Sequence, residues 1–335
     1  MNTFLKTLFK FTLSVIFIVS LLLAGYFYFD PFKIIYPKSN YSFMTVTTNR
    51  DFISTQMFIK NYPKYKYNSF IFGSSRTLAY NPEHWKKFLS ETDSPFMMDA
   101  SAETMYGIFK KVKFLDSSNV KIKNALLIVC RDASFPAKKI QEGHLYMKDP
   151  MTSGQSKFQF NLAFIKAYFD SQFLLSFYTY TFTHKYNEWM KGYIENRKIK
   201  VDSVTNQITI LDQEEEITKN PELYYEKRKD IFYSRTGETT DKVTRINGDY
   251  LNMIKEIAAI FKKQNTKYKV IIGPLYEQTK FNPKDLQILK QTFGENLYDF
   301  SGENEFTKNK TNYYEKSHYR PFVGDSIMNI IYSKN

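Results

Sequence analysis

Cysteine is almost absent from this 335-residue chain, which contains only Cys130. A single cysteine cannot form an intrachain disulfide framework or a thiolate zinc finger. Glycine and proline are also scarce, at 12 and 11 residues, which excludes collagen-like and low-complexity chains. The chain has four histidines, none in a metal-ligand spacing: His84, His144, His184 and His318. We therefore expect neither a metal ion nor a cofactor.

The charge of the chain is strongly positive, with 47 Lys and Arg against 34 Asp and Glu and a formal net charge of +13. Such a surface attracts polyanions, whether nucleic acid, anionic lipid or acidic polysaccharide. However, the excess is mostly lysine, beside plentiful Asn, Tyr and Phe, and AT-rich coding produces this composition without any ligand. Because no helix-turn-helix, RRM or zinc-finger pattern is present, we predict no nucleic-acid partner.

The first 30 residues contain an uncharged apolar segment, 11–29, which follows Lys6 and Lys10. At about 1.5 Å rise per residue, a helix of this length spans a hydrocarbon core of roughly 30 Å. Positive charge ahead of the span predicts a single-pass protein of the cytoplasmic or inner membrane, with its N-terminus inside and everything after Asp30 outside the cytoplasm. A cleaved signal peptide is the competing interpretation, but the length of the run and the bulky residues 26–29 favour an uncleaved anchor.

Short apolar runs beyond the anchor predict buried parallel strands. These runs are 69–72, 96–98, 125–130 and 270–272, with 296–300 as a weaker fifth. Helical patterns lie between them, for example at 251–261, and Pro321 suits the first position of a closing helix. The alternation predicts an α/β domain with a mostly parallel sheet over residues 65–335.

The remaining segments set the predicted domain boundaries. Residues 1–30 form a cytoplasmic stub and the transmembrane anchor, and residues 31–64, of mixed polarity, form a membrane-proximal connection. Residues 150–245 interrupt the strand–helix rhythm, which indicates a helical insertion or cap on the α/β domain. Within it we expect aromatic-rich helices at 158–191, a hairpin at 198–211 and a solvated acidic loop at 212–216.

Two serines follow the first predicted strand, because residues 70–72 run directly into Gly73, Ser74 and Ser75. In an open parallel sheet, ligands bind beyond the carboxyl ends of the strands. A hydroxyl at a glycine turn in that place is exposed, and its own backbone N–H can stabilise an oxyanion. The alternative is that the serines only cap the next helix.

Glu315 and His318 lie three positions apart, just ahead of the closing helix. At this spacing a carboxylate can orient the imidazole and set its tautomer. A serine nucleophile needs such a base, because a free hydroxyl is not appreciably ionised at neutral pH. Taken alone, His318 would be interpreted as an ordinary surface histidine beside a helix start.

Together, the two motifs and their order resemble the SGNH/GDSL hydrolase family. The first block of that family carries the nucleophile as its third residue, so the Gly-Ser-Ser at 73–75 nominates Ser75. Its last block, Asp-x-x-His, is matched by Glu-Lys-Ser-His at 315–318. The chain is most similar to the membrane-anchored branch that includes the D-alanyl transfer protein of teichoic acid modification and the alginate O-acetylation accessory proteins. The resemblance covers about 65–135 and 250–335 and implies a flavodoxin-like, three-layer SGNH sandwich.

The chain departs from the family pattern at the oxyanion hole and at the carboxylate. The second block of the family supplies a glycine N–H, for which Ser101 is the nearest counterpart here. The third block supplies an asparagine, which is missing or replaced by Arg131, and losing one such donor costs about 10²–10³ in rate. Glu in place of Asp shifts the histidine, so Asp299 is an alternative orienter. Arg76, next to the nucleophile, would steer an anionic polymer or form a surface ion pair.

The resemblance implies an extracytoplasmic serine-dependent O-acyltransferase or esterase acting on a cell-envelope polysaccharide or related glycopolymer. Ser75 would attack the acyl carbonyl, His318 would move the proton, and Glu315 would hold the imidazole. The expected partners are the envelope glycan or an acyl donor and the membrane, with a membrane-bound acyltransferase as a further candidate. The alternative is a catalytically inactive module of the same fold that binds or assembles glycan in an envelope complex, which the altered third block and the basic surface favour.

Overall fold

A computed structural model of the chain describes residues 2–38 and 40–333. The α-helices in these residues are α1 (Asn2–Phe29), α2 (Arg50–Tyr65), α3 (Pro82–Trp85), α4 (Met105–Ser117), α5 (Pro150–Ser153), α6 (Lys157–Tyr168), α7 (Ser171–Thr183), α8 (Leu211–Lys219), α9 (Pro221–Glu226), α10 (Gly248–Gln264), α11 (Pro283–Phe293), α12 (Glu305–Lys308) and α13 (Pro321–Tyr332). Short 3-10 helices lie at Ser75–Ala79, Lys86–Phe88, Glu188–Met190, Gly294–Asn296 and Lys310–Asn312.

The strands in the same residues are β1 (Ser69–Gly73), β2 (Pro95–Met97), β3 (Asn124–Val129), β4 (Ile199–Val201), β5 (Ile208–Ile210), β6 (Thr239–Thr240), β7 (Lys267–Ile272), β8 (Thr279–Lys280), β9 (Leu297–Asp299), β10 (Tyr313–Glu315) and β11 (His318–Tyr319). Five of them form one parallel sheet, and the other six form three separate pairs.

The chain forms two compact units. The first comprises Met1–Lys38, Met44–Thr48 and Asn161–Asn196, and the second comprises Ser39–Phe43, Asn49–Phe160 and Arg197–Asn335. Residues 161–196, expected as part of an insertion on the α/β domain, belong to the same unit as the N-terminal helix.

The helix α1 of the first unit is long and apolar enough to cross a membrane. The most apolar 18-residue stretch of its segment Thr3–Phe29 has a mean hydropathy of 2.2. Large apolar side chains such as Phe9 and Phe17 are exposed along it, where no protein group covers them. A surface of this kind is stable in hydrocarbon rather than in water. The predicted N-terminal apolar helix is therefore present.

The second unit is built on the five-stranded sheet, whose order is β2-β1-β3-β7-β9 with every pair parallel. Every residue of β1 and β3 is buried, as expected of a parallel sheet covered on both faces. The α/β class and the mostly parallel sheet are thus confirmed, and each of the five predicted strands is found close to its predicted position.

The strand order reverses beside β1. From β1 the chain passes to β2 on one side and then crosses to β3 on the other. In open α/β sheets, ligands bind beyond the carboxyl ends of the strands at such a switch point. The segment that follows β1 therefore occupies the favoured position for a site.

Helix α2 begins inside the region predicted as a membrane-proximal connection. The Asn49 side chain caps it by accepting a hydrogen bond from the Phe52 N–H at 2.8 Å. Arg50 and Asp51 are buried beside its apolar residues. Because charged residues share the buried face, the sequence shows no clean apolar stripe, and the helix was not predicted.

The acidic run 212–216 lies within helix α8, so the prediction of a solvated loop is wrong. Asp212 and Glu214 are in the first turn, where the helix dipole favours negative charge. Glu214 pairs with Arg320 at 2.7 Å, and Ile217 is buried. The predicted hairpin just before it is present as the antiparallel pair β4–β5.

Candidate active site

Gly73 is the last residue of β1 and leads the chain to Ser74 and Ser75. A Cβ at this position would lie 2.9 Å from the Ile128 carbonyl oxygen of the neighbouring strand β3. Any larger residue would therefore push the two central strands apart. The tight passage brings Ser75 directly beyond the carboxyl end of β1, where it begins a short 3-10 helix and remains partly exposed.

The two adjacent serines have different surroundings. Ser74 is buried, and its hydroxyl forms a hydrogen bond with the Cys130 thiol at 3.2 Å. It stands at the N-cap position of the 3-10 helix, but its side chain makes no capping hydrogen bond. Of the two hydroxyls, only that of Ser75 reaches the imidazole described next.

The β10–β11 ladder holds Glu315 and His318 opposite each other. Directly opposed residues of an antiparallel pair have Cβ atoms about 4.5–5.5 Å apart, so their side chains meet. The His318 Nδ1–H donates a hydrogen bond to Glu315 Oε1. The Ser317 N–H donates to the other carboxylate oxygen at 3.0 Å. The hairpin thus fixes both the carboxylate and the orientation of the ring.

Ser75 Oγ lies 2.7 Å from His318 Nε2. In the tautomer of the imidazole that donates its Nδ1–H to Glu315, Nε2 accepts a hydrogen bond from the Ser75 hydroxyl. A separation of about 2.6–3.2 Å is typical of a nucleophile and its general base. The three residues nominated from the sequence therefore form one hydrogen-bonded chain, with the geometry of a Ser-His-carboxylate triad.

The pKa of Glu315 lies below its ordinary value. Burial by itself raises this pKa. The hydrogen bond from His318, its charge and the hydrogen bond from the Ser317 N–H together lower the pKa by more than burial raises it. The carboxylate is therefore ionised at neutral pH and can stabilise an imidazolium. Asp299, the alternative orienter, instead accepts a hydrogen bond from the Ser301 N–H at 2.8 Å.

Arg76 links the two halves of the site. Its Nε donates to the Ser317 carbonyl oxygen at 3.1 Å. The side chain is only 8% exposed, so the surface ion pair considered from the sequence is not what it forms. Since Arg76 follows Ser75 and Ser317 precedes His318, this bond fixes the nucleophile segment relative to the base.

A buried polar network, not predicted from the sequence, supports the turn after β1. The Thr77 hydroxyl lies 2.9 Å from the Ser74 carbonyl oxygen and 3.3 Å from Asp99 Oδ2. Arg50 Nε donates to Asp99 Oδ1 at 2.9 Å, and Arg50 Nη1 donates to Asn206 Oδ1 at 2.7 Å. The one sequence feature that points to this network is the position of Asp99, directly after a predicted strand, where polar residues gather at the carboxyl edge of a parallel sheet.

Ser101 lies in the loop after β2 and is half-buried. The preceding Ala100 N–H donates to the Gly73 carbonyl oxygen at 3.2 Å. The loop thus runs alongside the turn that carries Ser75, which is the neighbourhood where an oxyanion donor is needed.

A buried ion cluster, formed by Asp51, Glu103, Lys111 and Lys148, anchors the far end of this loop. Lys111 Nζ lies 2.6 Å from Glu103 and 3.0 Å from Asp51, and Lys148 Nζ lies 2.5 Å from Glu103. Lys111 also donates to the carbonyl oxygen of Asp99 at 2.9 Å. The loop is therefore held at both ends.

Arg131 follows β3 and is already paired with carboxylates. It lies 2.8 Å from Asp132 and forms a second ion pair with Glu277. These pairs favour the charged guanidinium and also hold it in place. To act as an oxyanion donor, the role considered from the sequence, Arg131 would have to release one of them.

The carboxyl edge of the sheet thus brings together a nucleophile, a base and a carboxylate that orients the base. Such a set can transfer an acyl group to and from the Ser75 hydroxyl. Compared with models of protein families and with curated proteins, the chain matches none. The support for a function therefore comes from the geometry of these residues.

Proposed function

We propose that this protein is a membrane-anchored serine O-acyltransferase or esterase of SGNH type, acting on acyl groups of a cell-envelope polysaccharide or related glycopolymer. The observation that supports it is the hydrogen-bonded chain from Ser75 through His318 to Glu315. The sheet order supports it as well. Numbered among the five strands it is 2-1-3-4-5, the flavodoxin-like order, with Ser75 at the switch point.

In the proposed reaction, Ser75 Oγ attacks the carbonyl carbon of an acyl ester while its proton passes to His318 Nε2. The tetrahedral intermediate then expels the alkoxide, which takes that proton, and an acyl-Ser75 ester forms. A glycan hydroxyl gives transfer by attacking this ester, and water gives hydrolysis. In either case His318 accepts the proton of the attacking group and returns it to Ser75.

The backbone N–H groups of Ser75 and Ser101 are the proposed oxyanion donors. Arg131 stands where the family has its asparagine, and its ion pairs hold it elsewhere. With one donor fewer, the rate would be about 10²–10³ lower than with a complete oxyanion hole. We therefore expect slow turnover of simple esters.

In this proposal α1 anchors the chain with its N-terminus in the cytoplasm and the α/β unit outside. The lysines ahead of the apolar segment support this orientation. The net charge of +13 would attract an anionic envelope polymer. A membrane-bound acyltransferase is the proposed source of the acyl group.

A second candidate is a catalytically inactive glycan-binding or assembly module of the same fold. The observation that favours it is Arg131, fixed by ion pairs at the strand end that supplies an oxyanion donor in the family. In this case, glycan binding would survive the loss of both Ser75 and His318.

Labelling by a fluorophosphonate probe and hydrolysis of p-nitrophenyl acetate, measured on the detergent-solubilised full chain, test the enzymatic proposal. Ser75→Ala should abolish both signals, because it removes the attacking oxygen. Ser74→Ala is the matched control and should retain both, since that hydroxyl contacts Cys130. Equal labelling and turnover in the wild type and Ser75→Ala would overturn the proposal. Glycan retention by a Ser75→Ala, His318→Ala double variant would then support the second candidate.

A further inference from the structure

Helix α7 of the first unit has an apolar face that the chain leaves exposed. The helix contains no charged residue. Phe173 and Phe177 point inward and are buried, whereas Leu175 is 58% exposed and Phe182 is 75% exposed. Together with Tyr178, the exposed pair lies on one side of the helix, since positions separated by three, four and seven residues share a face.

Two tyrosine hydroxyls, of Tyr168 at the end of α6 and Tyr178 in α7, define the position of α7 along the axis of the apolar helix α1. The Tyr168 hydroxyl donates to the Leu22 carbonyl oxygen at 2.9 Å, and the Tyr178 hydroxyl lies 2.7 Å from that of Tyr168. A Cβ at Gly25 would lie 2.3 Å from the Tyr178 hydroxyl, so this close approach requires glycine. Leu22 and Gly25 precede the helix end at Phe29 by about 10 Å and 6 Å, at about 1.5 Å per residue.

The exposed face of α7 lies close to Tyr178, and therefore beside the same part of α1. The Phe182 ring stacks on the Tyr178 ring, with centroids 6.1 Å apart and planes inclined by 19°. If α1 crosses a bilayer up to Phe29, Tyr178 and its neighbour Phe182 are at the depth of the headgroup–hydrocarbon boundary. Tyr28, 81% exposed at the end of α1, is the residue type that favours this boundary.

We propose that α7 is an interfacial helix that inserts the exposed side chains of Leu175 and Phe182 into the bilayer crossed by α1. Lipid is the occupant that the structure favours, because the face is continuous with a helix suited to hydrocarbon and carries no charge to pair with a partner protein. Apolar side chains gain free energy when they leave water, and tyrosine side chains are enriched at the membrane–water interface. The first unit would then contact the bilayer at two places, α1 and α7.

Spin labels attached to the full chain in phosphatidylcholine vesicles test this proposal. The labels are placed one at a time through Leu175→Cys and Phe182→Cys, in a Cys130→Ser background. A label in lipid collides more with oxygen than with a water-soluble nickel chelate. Leu21→Cys, at a 57% exposed position of α1, is the lipid control. Glu188→Cys, at an exposed polar position beyond α7, is the water control.

Because the α7 face lies at the boundary and Leu21 about 12 Å deeper, we expect both α7 labels to fall between the two controls. Their ratio of oxygen to nickel-chelate accessibility should be several-fold above that at Glu188. Two results would overturn the proposal. A ratio like that at Glu188 would place the face in water, and protection from both reagents would show that protein covers it. If the Leu21 label is itself exposed to the chelate, α1 is outside the bilayer and the proposal fails with it.

The two α7 positions test the location of this face independently. Neither substitution removes a buried side chain, since Leu175 and Phe182 are both exposed.

Discussion

Arg76 Nε donates a hydrogen bond to the carbonyl oxygen of Ser317 at 3.1 Å. The bond joins the residue that follows the proposed nucleophile to the residue that precedes the proposed base. Since the hairpin carries His318, any movement of this hairpin changes the distance between the two reacting groups. Arg76 is therefore a positioning residue for the Ser75–His318 pair.

Replacement of this guanidinium should lower the chemical rate rather than substrate binding. For Arg76→Met we expect kcat for a small ester to fall by about 10–100-fold, because small misplacements of reacting groups have effects of this size. KM should change little. Steady-state kinetics on the folded variant checks this, and an unchanged kcat would show that the hairpin holds its position without Arg76. Arg228→Met is the control, since Arg228 pairs with Glu216 instead.

Glu315 should be the carboxylate that turnover requires. Glu315→Gln cannot stabilise the imidazolium and favours the wrong tautomer, so we expect kcat to fall by about 10³–10⁴-fold. Asp299→Asn is the matched control and should keep near wild-type kcat, because Asp299 is bonded to Ser301. The reverse ranking of the two variants would assign the orienting role to Asp299.

The buried ion cluster should contribute strongly to stability. Lys111→Met removes one of the two buried lysines that face Asp51 and Glu103, and breaking a buried pair typically costs about 3–5 kcal/mol. Lys113→Met, two positions along the same helix, removes only an exposed pair with Glu256 and should cost less than about 1 kcal/mol. Chemical denaturation of both variants measures the difference. Equal losses would contradict this account of the cluster.

Asp149 should make the stability depend on pH. Burial raises the pKa of its carboxyl group from 3.8 to about 6. Between these values the folded chain holds a proton that the unfolded chain has released, so the free energy of unfolding falls as the pH rises. At about 1.4 kcal/mol per pKa unit, the loss is about 3 kcal/mol.

Asp149→Asn should remove this dependence, because an amide does not titrate and its oxygen can still accept from the Met151 N–H. Denaturant unfolding at about pH 4 and about pH 7 compares the two proteins. The wild type should lose about 2.4 kcal/mol more than the variant over this interval, because the unfolded carboxyl group is still partly protonated at about pH 4. Parallel losses in both would show that the Asp149 carboxyl group is not protonated in the folded state.

The sheet and the position of its edge could be predicted from the sequence. Parallel strands covered on both faces appear as continuous apolar runs, as in β3, and can be recognised without knowing their neighbours. Since the five strands of this sheet are parallel, the residues that directly follow them lie at one edge of the sheet. Ser75 could be nominated in this way, and Glu315 with His318 by their local spacing.

The features that depend on tertiary pairing could not be predicted. Lys111 and Asp51 look in the sequence like solvated residues, and only the packing of α4 against α2 makes them buried partners. In the same way, Arg50 interrupts the apolar pattern of α2 in the sequence. It can lie on the buried face of this helix because its charge is paired with Asp99. Charge by itself does not indicate exposure when the compensating group is distant in the chain.

The pairing of Ser75 with His318 across 243 positions has a consequence for biogenesis. The ribosome makes the hydroxyl long before the imidazole that activates it. If the proposed function is right, a nascent chain that is still being exported would lack its base and could not attack esters. Acyl chemistry would begin only after the closing hairpin has emerged and docked, which confines it to finished molecules at their destination.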